Sequence, residues 1–176
     1  LLGNYAGTPA VAVTPLMGIR QEVSPTTRVY HAPGCAWVDG VAPLQAIPQS
    51  FLRPAGKAGA GLRGDYYDNP HFEGEPALSR VDPLVDFCWI DTTPLSGRWG
   101  DSFSVRWSGS LIPPSSGVYR LGVNGHNAYK LYLDGELVVE SDSIHHPLLK
   151  TCELALEAGR LYSIRLDYVN RGLDPQ

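Results

Sequence analysis

Two short segments carry side chains suited to gripping a polar ring: Asn124-Gly125-His126-Asn127-Ala128 and Ser96-Gly97-Arg98-Trp99-Gly100-Asp101. A flat indole or phenol offers its face to the C–H side of a sugar, while amide, imidazole and carboxylate groups exchange hydrogen bonds with the hydroxyls. Asn124, His126, Asn127, Trp99 and Asp101 are therefore the candidate carbohydrate-binding residues, and an ordinary loop histidine is the competing reading of His126. Carboxylates are plentiful, at Asp65, Asp68, Asp82, Asp86, Asp91, Asp101, Asp134, Glu136, Glu140 and Asp142. Cleaving a glycosidic bond requires two of them facing each other across it, which spacing alone does not establish. Most lie beside Gly, Pro, Asn or Ser, where turn formation accounts for them, so no catalytic residue is assigned. His145-His146-Pro147 is too compact for two ligands to converge on one ion and reads as a solvated loop. No metal site and no cofactor are expected.

Loops of this kind need a rigid frame, and the chain from Leu62 onwards has the period-two pattern of one. Phe103, Val105 and Trp107 alternate with Ser102, Ser104, Arg106 and Ser108; Tyr119, Leu121 and Val123 alternate with Arg120 and Gly122; Tyr162, Ile164, Leu166 and Tyr168 alternate with Ser163, Arg165 and Asp167. Each run predicts a strand with one buried face. Trp89 and Trp107 fall within strand patterns and are expected to fill the core. Asp134-Gly135 separates Tyr129–Leu133 from Glu136–Glu140, the signature of a type I′ hairpin. With Gly64–Tyr67, Asp86–Ile90 and Leu148–Leu156 added, about eight strands are expected in about 110 residues, the size of an antiparallel β-sandwich. The fold class predicted is mainly β, preceded by a partial α/β segment.

That segment occupies the first 50 residues. Thr14-Pro15 is a cap followed by proline at the first helical position, and Leu16, Ile19 and Val23 then recur with helical spacing, so one short helix is expected to end near Ser24-Pro25. Thr27-Arg28-Val29-Tyr30 reads as a strand after it. Half an α/β unit cannot cover its own apolar faces. Residues 51–60, small and without periodicity, read as a linker, and 171–176 as an exit linker.

Composition narrows the partners. Among 176 residues, 14 Lys and Arg against 18 Asp and Glu leave a formal charge of −4, which does not suggest a nucleic-acid-binding face. Nowhere do 18 apolar residues run together, so no membrane-spanning helix is expected. Prolines recur from Pro9 to Pro114, which excludes a helix bundle. The sole methionine is Met17, and the chain is expected to be a piece of a longer protein. Cys35, Cys88 and Cys152 are odd in number and lack a CxxC spacing, so buried free thiols are expected.

Three motifs in order, Leu1-Leu2-Gly3-Asn4-Tyr5-Ala6-Gly7-Thr8-Pro9, Thr14-Pro15-Leu16-Met17-Gly18-Ile19 and Val29-Tyr30-His31-Ala32-Pro33-Gly34-Cys35, resemble the start of the α/β second domain of family-three glycoside hydrolases, the β-glucosidase and β-xylosidase family. Gly61-Leu62-Arg63-Gly64-Asp65-Tyr66-Tyr67, Phe103–Gly109, Gly117–Leu121 and Leu131–Gly135 resemble the PA14 module, the β-sandwich first recognised in anthrax protective antigen. The resemblance implies residues 1–50 as the entry into the α/β domain and 61–170 as a PA14-like insert. It also implies a retaining glycosidase whose Asp nucleophile lies upstream and whose Glu acid/base lies later in the second domain. Neither motif occurs here, so the chain alone is expected to hydrolyse nothing. Sugar-binding PA14 adhesins resemble one another in a calcium-holding Asp pair; His126 and Asn127 stand at the matching positions, which argues against calcium-dependent capture.

Three roles are open on this reading. The module shapes which oligosaccharides reach the parent's active site, or tethers the enzyme to polysaccharide as an autonomous lectin-like module, or is a structural insert that serves domain packing or formation of a homodimer. The expected partners are an oligosaccharide or polysaccharide and the remaining domains of the parent hydrolase. For that parent the resemblance favours a periplasmic or secreted bacterial location over the cytoplasm.

Overall fold

The computed structural model describes residues 13–32, 44–89, 94–95, 102–142 and 148–171. The chain divides into two compact units, Leu1–Pro43 and Leu44–Gln176. In the first unit, helix α1 (Pro15–Glu22) starts as the sequence predicts: the Thr14 hydroxyl accepts from the Met17 N–H at 3.2 Å and Pro15 takes the first turn. Met17 and Ile19 are 43% and 51% exposed. Thr27–Tyr30, expected as a strand, is without regular structure, and Tyr30 is exposed. β-branched residues favour an extended backbone, but a strand also requires a paired neighbour.

Among the described residues, the second unit contains nine strands: β1 (Leu52–Pro54), β2 (Leu62–Tyr67), β3 (Leu78–Asp82), β4 (Phe103–Leu111), β5 (Gly117–Gly125), β6 (Ala128–Leu133), β7 (Glu136–Ser141), β8 (Leu148–Leu156) and β9 (Tyr162–Asn170). One sheet runs β3-β2-β4-β9-β6-β7, with β1 paired to the far end of β4, and β5-β8 form the second. Every pairing is antiparallel. Val105, Trp107, Leu131 and Ile164 of the large sheet share one buried cluster with Leu121 and Leu156 of the small one. The fold is therefore a mainly β, antiparallel β-sandwich.

Several strands depart from expectation. Residues 86–89 form no strand, and Ile90 lies outside the described residues. Trp89 is held instead by ring contacts, stacked on Phe87 at 4.8 Å and parallel to Trp107 at 6.2 Å, and is only half-buried, whereas Trp107 is 2% exposed. β1 lies in the stretch read as a linker. Leu52 is 2% exposed in the core, and Leu52–Pro54 pair with Gly109–Leu111, so a three-residue segment too short to show periodicity closes the sheet. β3 was also not expected. Of the thiols expected to be buried, Cys88 is exposed and Cys152 half-buried; both are free, and Cys35 lies outside the described residues. Cys88 is exposed because its segment is not a strand with an inward face.

The hairpin between β6 and β7 forms where predicted. Asp134 has φ 49° and Gly135 φ 86°, the left-handed pair that a type I′ turn requires. Asp134 also anchors the turn to β9: its N–H donates to the Ser163 carbonyl and its Oδ1 accepts from the Ser163 N–H, each at 2.8 Å. Gly135→Ala is expected to cost about 1 kcal/mol, since a Cβ there meets no neighbour and only the left-handed backbone opposes it. Urea denaturation of the two proteins measures the difference.

Candidate functional site

The register of β4, β9 and β6 decides which side chains meet at one end of the large sheet. Phe103, the first residue of β4, lies opposite Asn170, the last of β9, and Val169 lies opposite Ala128, the first of β6. The turn His126-Asn127 and the chain entering β4 are thereby delivered to the same end. Asn127 adopts φ 69°, which asparagine tolerates better than most residues. Its side-chain amide donates to Asn170 Oδ1 at 3.4 Å and lies near enough to the Tyr168 phenol to oppose the rise of its pKa.

Aromatic rings pack at the same end of the sheet. Trp89 packs edge-on against Phe103 at 5.3 Å and obliquely against Tyr168 at 5.7 Å. Burial pushes the Tyr168 phenol above its ordinary pKa, and the Asn127 amide acts in the opposite direction. The phenol is neutral at physiological pH and free to exchange hydrogen bonds as donor and acceptor.

The turn is held from below by Tyr129, which is 1% exposed. Its hydroxyl donates to the Leu148 carbonyl at 2.6 Å, tying the start of β8 to β6, and lies 3.3 Å from the Val123 carbonyl near the end of β5. A Cβ on Gly125 would come within 2.9 Å of the Tyr129 ring, so glycine lets the strand end approach that closely.

The sequence-predicted residues are distributed unevenly around this arrangement. Asn127 stands in it. His126 is exposed at the same turn. Asn124, opposite Leu149, alternates with the core-packed Val123 and therefore occupies the outer side of the small sheet, away from Asn127. Trp99 and Asp101 lie outside the described residues. Tyr168 and Asn170 were not singled out as site residues; the alternation Tyr162, Ile164, Leu166, Tyr168, extended by two, carries Asn170 on the same side. Among the described residues, no three His, Cys, Asp or Glu side chains converge as a metal site.

The model of the PA14 domain matches residues 59–174, about two-thirds of the chain. The chain belongs to the PA14 domain family. The match begins within the stretch expected as a linker and runs past the end of β9. Anti-sigma-I factor RsgI3 of Acetivibrio thermocellus is 34% identical over 110 residues, covering 62% of this chain and 17% of that protein. A beta-glucosidase of Rhizobium radiobacter is 26% identical over 128 residues, covering 73% of this chain and 14% of that protein. Among solved structures, the PA14 sugar-binding domain from an RTX adhesin superposes with a TM-score of 0.52 at 16% identity, covering 64% of this chain and 83% of that one, a likeness of fold. The chain thus spans less than a fifth of the curated relatives' lengths, and the proteins that share this stretch include an anti-sigma-I factor and a beta-glucosidase.

Proposed function

We propose that this PA14 module is the non-catalytic, carbohydrate-contacting part of a β-glycosidase of the family-three type, with residues 1–50 as the entry into that enzyme's α/β second domain. The observation that carries the reading is the gathering of Asn127, Asn170 and Tyr168 at the loop end of the sheet, with Asn127 donating to Asn170 and Trp89 packed against Tyr168. Amides and a neutral phenol match the hydroxyls of a sugar, and a rigid sandwich presents them with little ordering cost. The β-glucosidase relative supports the enzymatic context, since its likeness covers 73% of this chain. In that setting the module favours some oligosaccharide lengths over others through added contacts and supplies no reacting group.

Titration of the chain with β-linked gluco-oligosaccharides, followed by amide NMR, tests the reading. Resonances of Asn127, Ala128, Val169 and Asn170 are expected to shift. Asn127→Ala and Asn170→Ala are each expected to weaken binding about 5- to 10-fold, the loss of a hydrogen-bonding partner worth about 1 kcal/mol. No shift at these residues with any neutral oligosaccharide overturns it.

A second reading makes the module an autonomous carbohydrate binder in a protein without a hydrolytic domain, and the 34% identity to an anti-sigma-I factor favours it. The full reading frame separates the two, because only the first requires an upstream barrel and a downstream continuation of the α/β domain.

A further inference from the structure

The outward face of the large sheet carries a row of alternating charge across five strands, Asp65, Arg106, Asp167, Lys130 and Glu140, each opposite the next in the pairing register. One guanidinium beside that row is left over. Arg106 takes Asp167 through both carboxylate oxygens, at 2.7 and 3.0 Å. Arg165 reaches the same carboxylate only at 3.6 Å, and its buried Nε has no hydrogen-bond partner. Two guanidiniums thus share one carboxylate, and the surplus positive charge falls to Arg165. Neighbouring charges are already matched: Arg63 pairs with Asp65 at 3.0 Å, and Asp134 pairs with Arg160 at 3.4 Å.

Arg165 borders a groove of about 210 Å³. Ser108 and Gly109 of β4 and Ser163 of β9 line it, where small side chains leave a depression between larger ones, and Tyr132 and Ala55 contribute to its walls. The Arg165 guanidinium lies 3.9 Å from the centre of the Tyr132 ring, a stacking contact that holds its plane before any ligand arrives. A planar cation held only loosely by Asp167, with its side chain 43% exposed so that its terminal amino groups can meet a ligand, beside two serine residues is the chemistry that recognises a carboxylate carried on a hydroxylated ring. The volume is below the usual range for a drug-sized ligand and suits a single ring.

We propose that this groove is a subsite for one uronic-acid residue of a polysaccharide, with Arg165 binding the carboxylate and Ser108 and Ser163 hydrogen-bonding the ring hydroxyls. It is separate from the Asn127 site. Ile164, Leu166 and Tyr168 of β9 pack with the core, so Arg165 faces the opposite side of the sheet, and five residues of strand place it about 17 Å from Asn170. The proposal rests on the reading that the module contacts carbohydrate, but the two sites differ in the ligand charge they favour.

Sodium glucuronate, glucose and sodium acetate, each titrated into the chain under amide NMR, provide the test. Glucuronate is expected to shift Ser108, Gly109, Ser163 and Arg165, with acetate shifting the same residues at higher concentration and glucose leaving them unmoved. Arg165→Gln is expected to weaken glucuronate binding about tenfold or more, the loss of hydrogen bonds to a charged group, while Arg165→Lys recovers only part because the planar fork is gone. Asn127→Ala is expected to leave glucuronate binding unchanged, which separates failure here from failure of the loop-end site. Equal binding of glucose, equal binding of acetate, or an unchanged affinity in a folded Arg165→Gln protein overturns the proposal.

Discussion

Asp82→Ala is expected to lower the unfolding free energy of the sandwich by about 3–5 kcal/mol, because two buried donors, each costing about 1–3 kcal/mol when left unsatisfied, lose their acceptor. Asp82 is 3% exposed and gathers three donors. Its Oδ2 accepts the Tyr66 hydroxyl and, at 2.8 Å, the Trp107 indole N–H; its Oδ1 accepts Arg80 Nε at 2.7 Å. Arg80 in turn donates to the Tyr66 oxygen at 2.9 Å and lies over the Tyr66 ring. Alanine would leave two buried donors without acceptors and a guanidinium without its counter-charge, while opening a void under the Trp107 ring. Burial and Asp82 together hold the Tyr66 phenol far above its ordinary pKa, so the network is intact throughout the neutral range.

Guanidinium denaturation followed by tryptophan fluorescence measures this loss, since Trp107 donates to Asp82 directly. Asp82→Asn is expected to lose less, because its amide oxygen still accepts one donor. Lys130→Ala, which breaks a pair 4.0 Å apart with both side chains more than half exposed, is expected to change stability by less than about 1 kcal/mol. A loss for Asp82→Ala no larger than for Lys130→Ala would show that the buried network does not hold β2, β3 and β4 together.

Gly109→Ala is expected to destabilise the same unit by about 2–3 kcal/mol, an overpacking cost without a flexible neighbour to absorb it. A Cβ at Gly109 would stand 2.1 Å from the Arg53 carbonyl oxygen and 2.8 Å from Leu62 Cδ2. The first obstacle is backbone in β1, directly across the pairing, so relief requires β1 to move off β4. That movement exposes Leu52 and breaks the Ile112 N–H bond to the Phe51 carbonyl. Gly117→Ala supplies the comparison. Its Cβ would meet nothing within 4 Å, and a change within about 0.5 kcal/mol is expected. Hydrogen exchange at Ile112 distinguishes local release of β1 from general destabilisation: faster exchange there, with β5 and β8 still protected, is the expected result.

The long strands were legible because their periodicity survives any reasonable choice of boundary. Leu148–Leu156 was expected and found with the same limits, and β4, β5, β6, β7 and β9 each extend the predicted runs by one to three residues at an end. The hairpin at Asp134-Gly135 was equally legible, since few residue pairs accept two consecutive left-handed conformations. β1 and β3 were not, because strands of three and five residues contain too few alternations to stand out from turn-rich sequence. Trp89 was misread for a related reason: an aromatic residue beside apolar neighbours resembles a strand, whereas ring stacking on Phe87 and Trp107 packs it without any ladder.

The same division runs through the candidate sites. Local composition marked the 124–128 turn as a place for polar recognition, but only the cross-strand register brought Asn127 beside Tyr168 and Asn170, 41 and 43 positions later in the chain. Strand alternation also separated Asn124 from Asn127 although only two residues lie between them. Arg165 gave no sequence signal, since its surplus charge exists only because Arg106, 59 positions earlier, takes the shared Asp167. By itself the sequence determined the backbone period, the turns and the sandwich architecture, because those depend on neighbours along the chain. Which distant side chains meet, and which charge is only loosely paired, was decided by tertiary pairing, because hydrogen-bonded strands bring together residues whose separation in sequence carries no information about their contact.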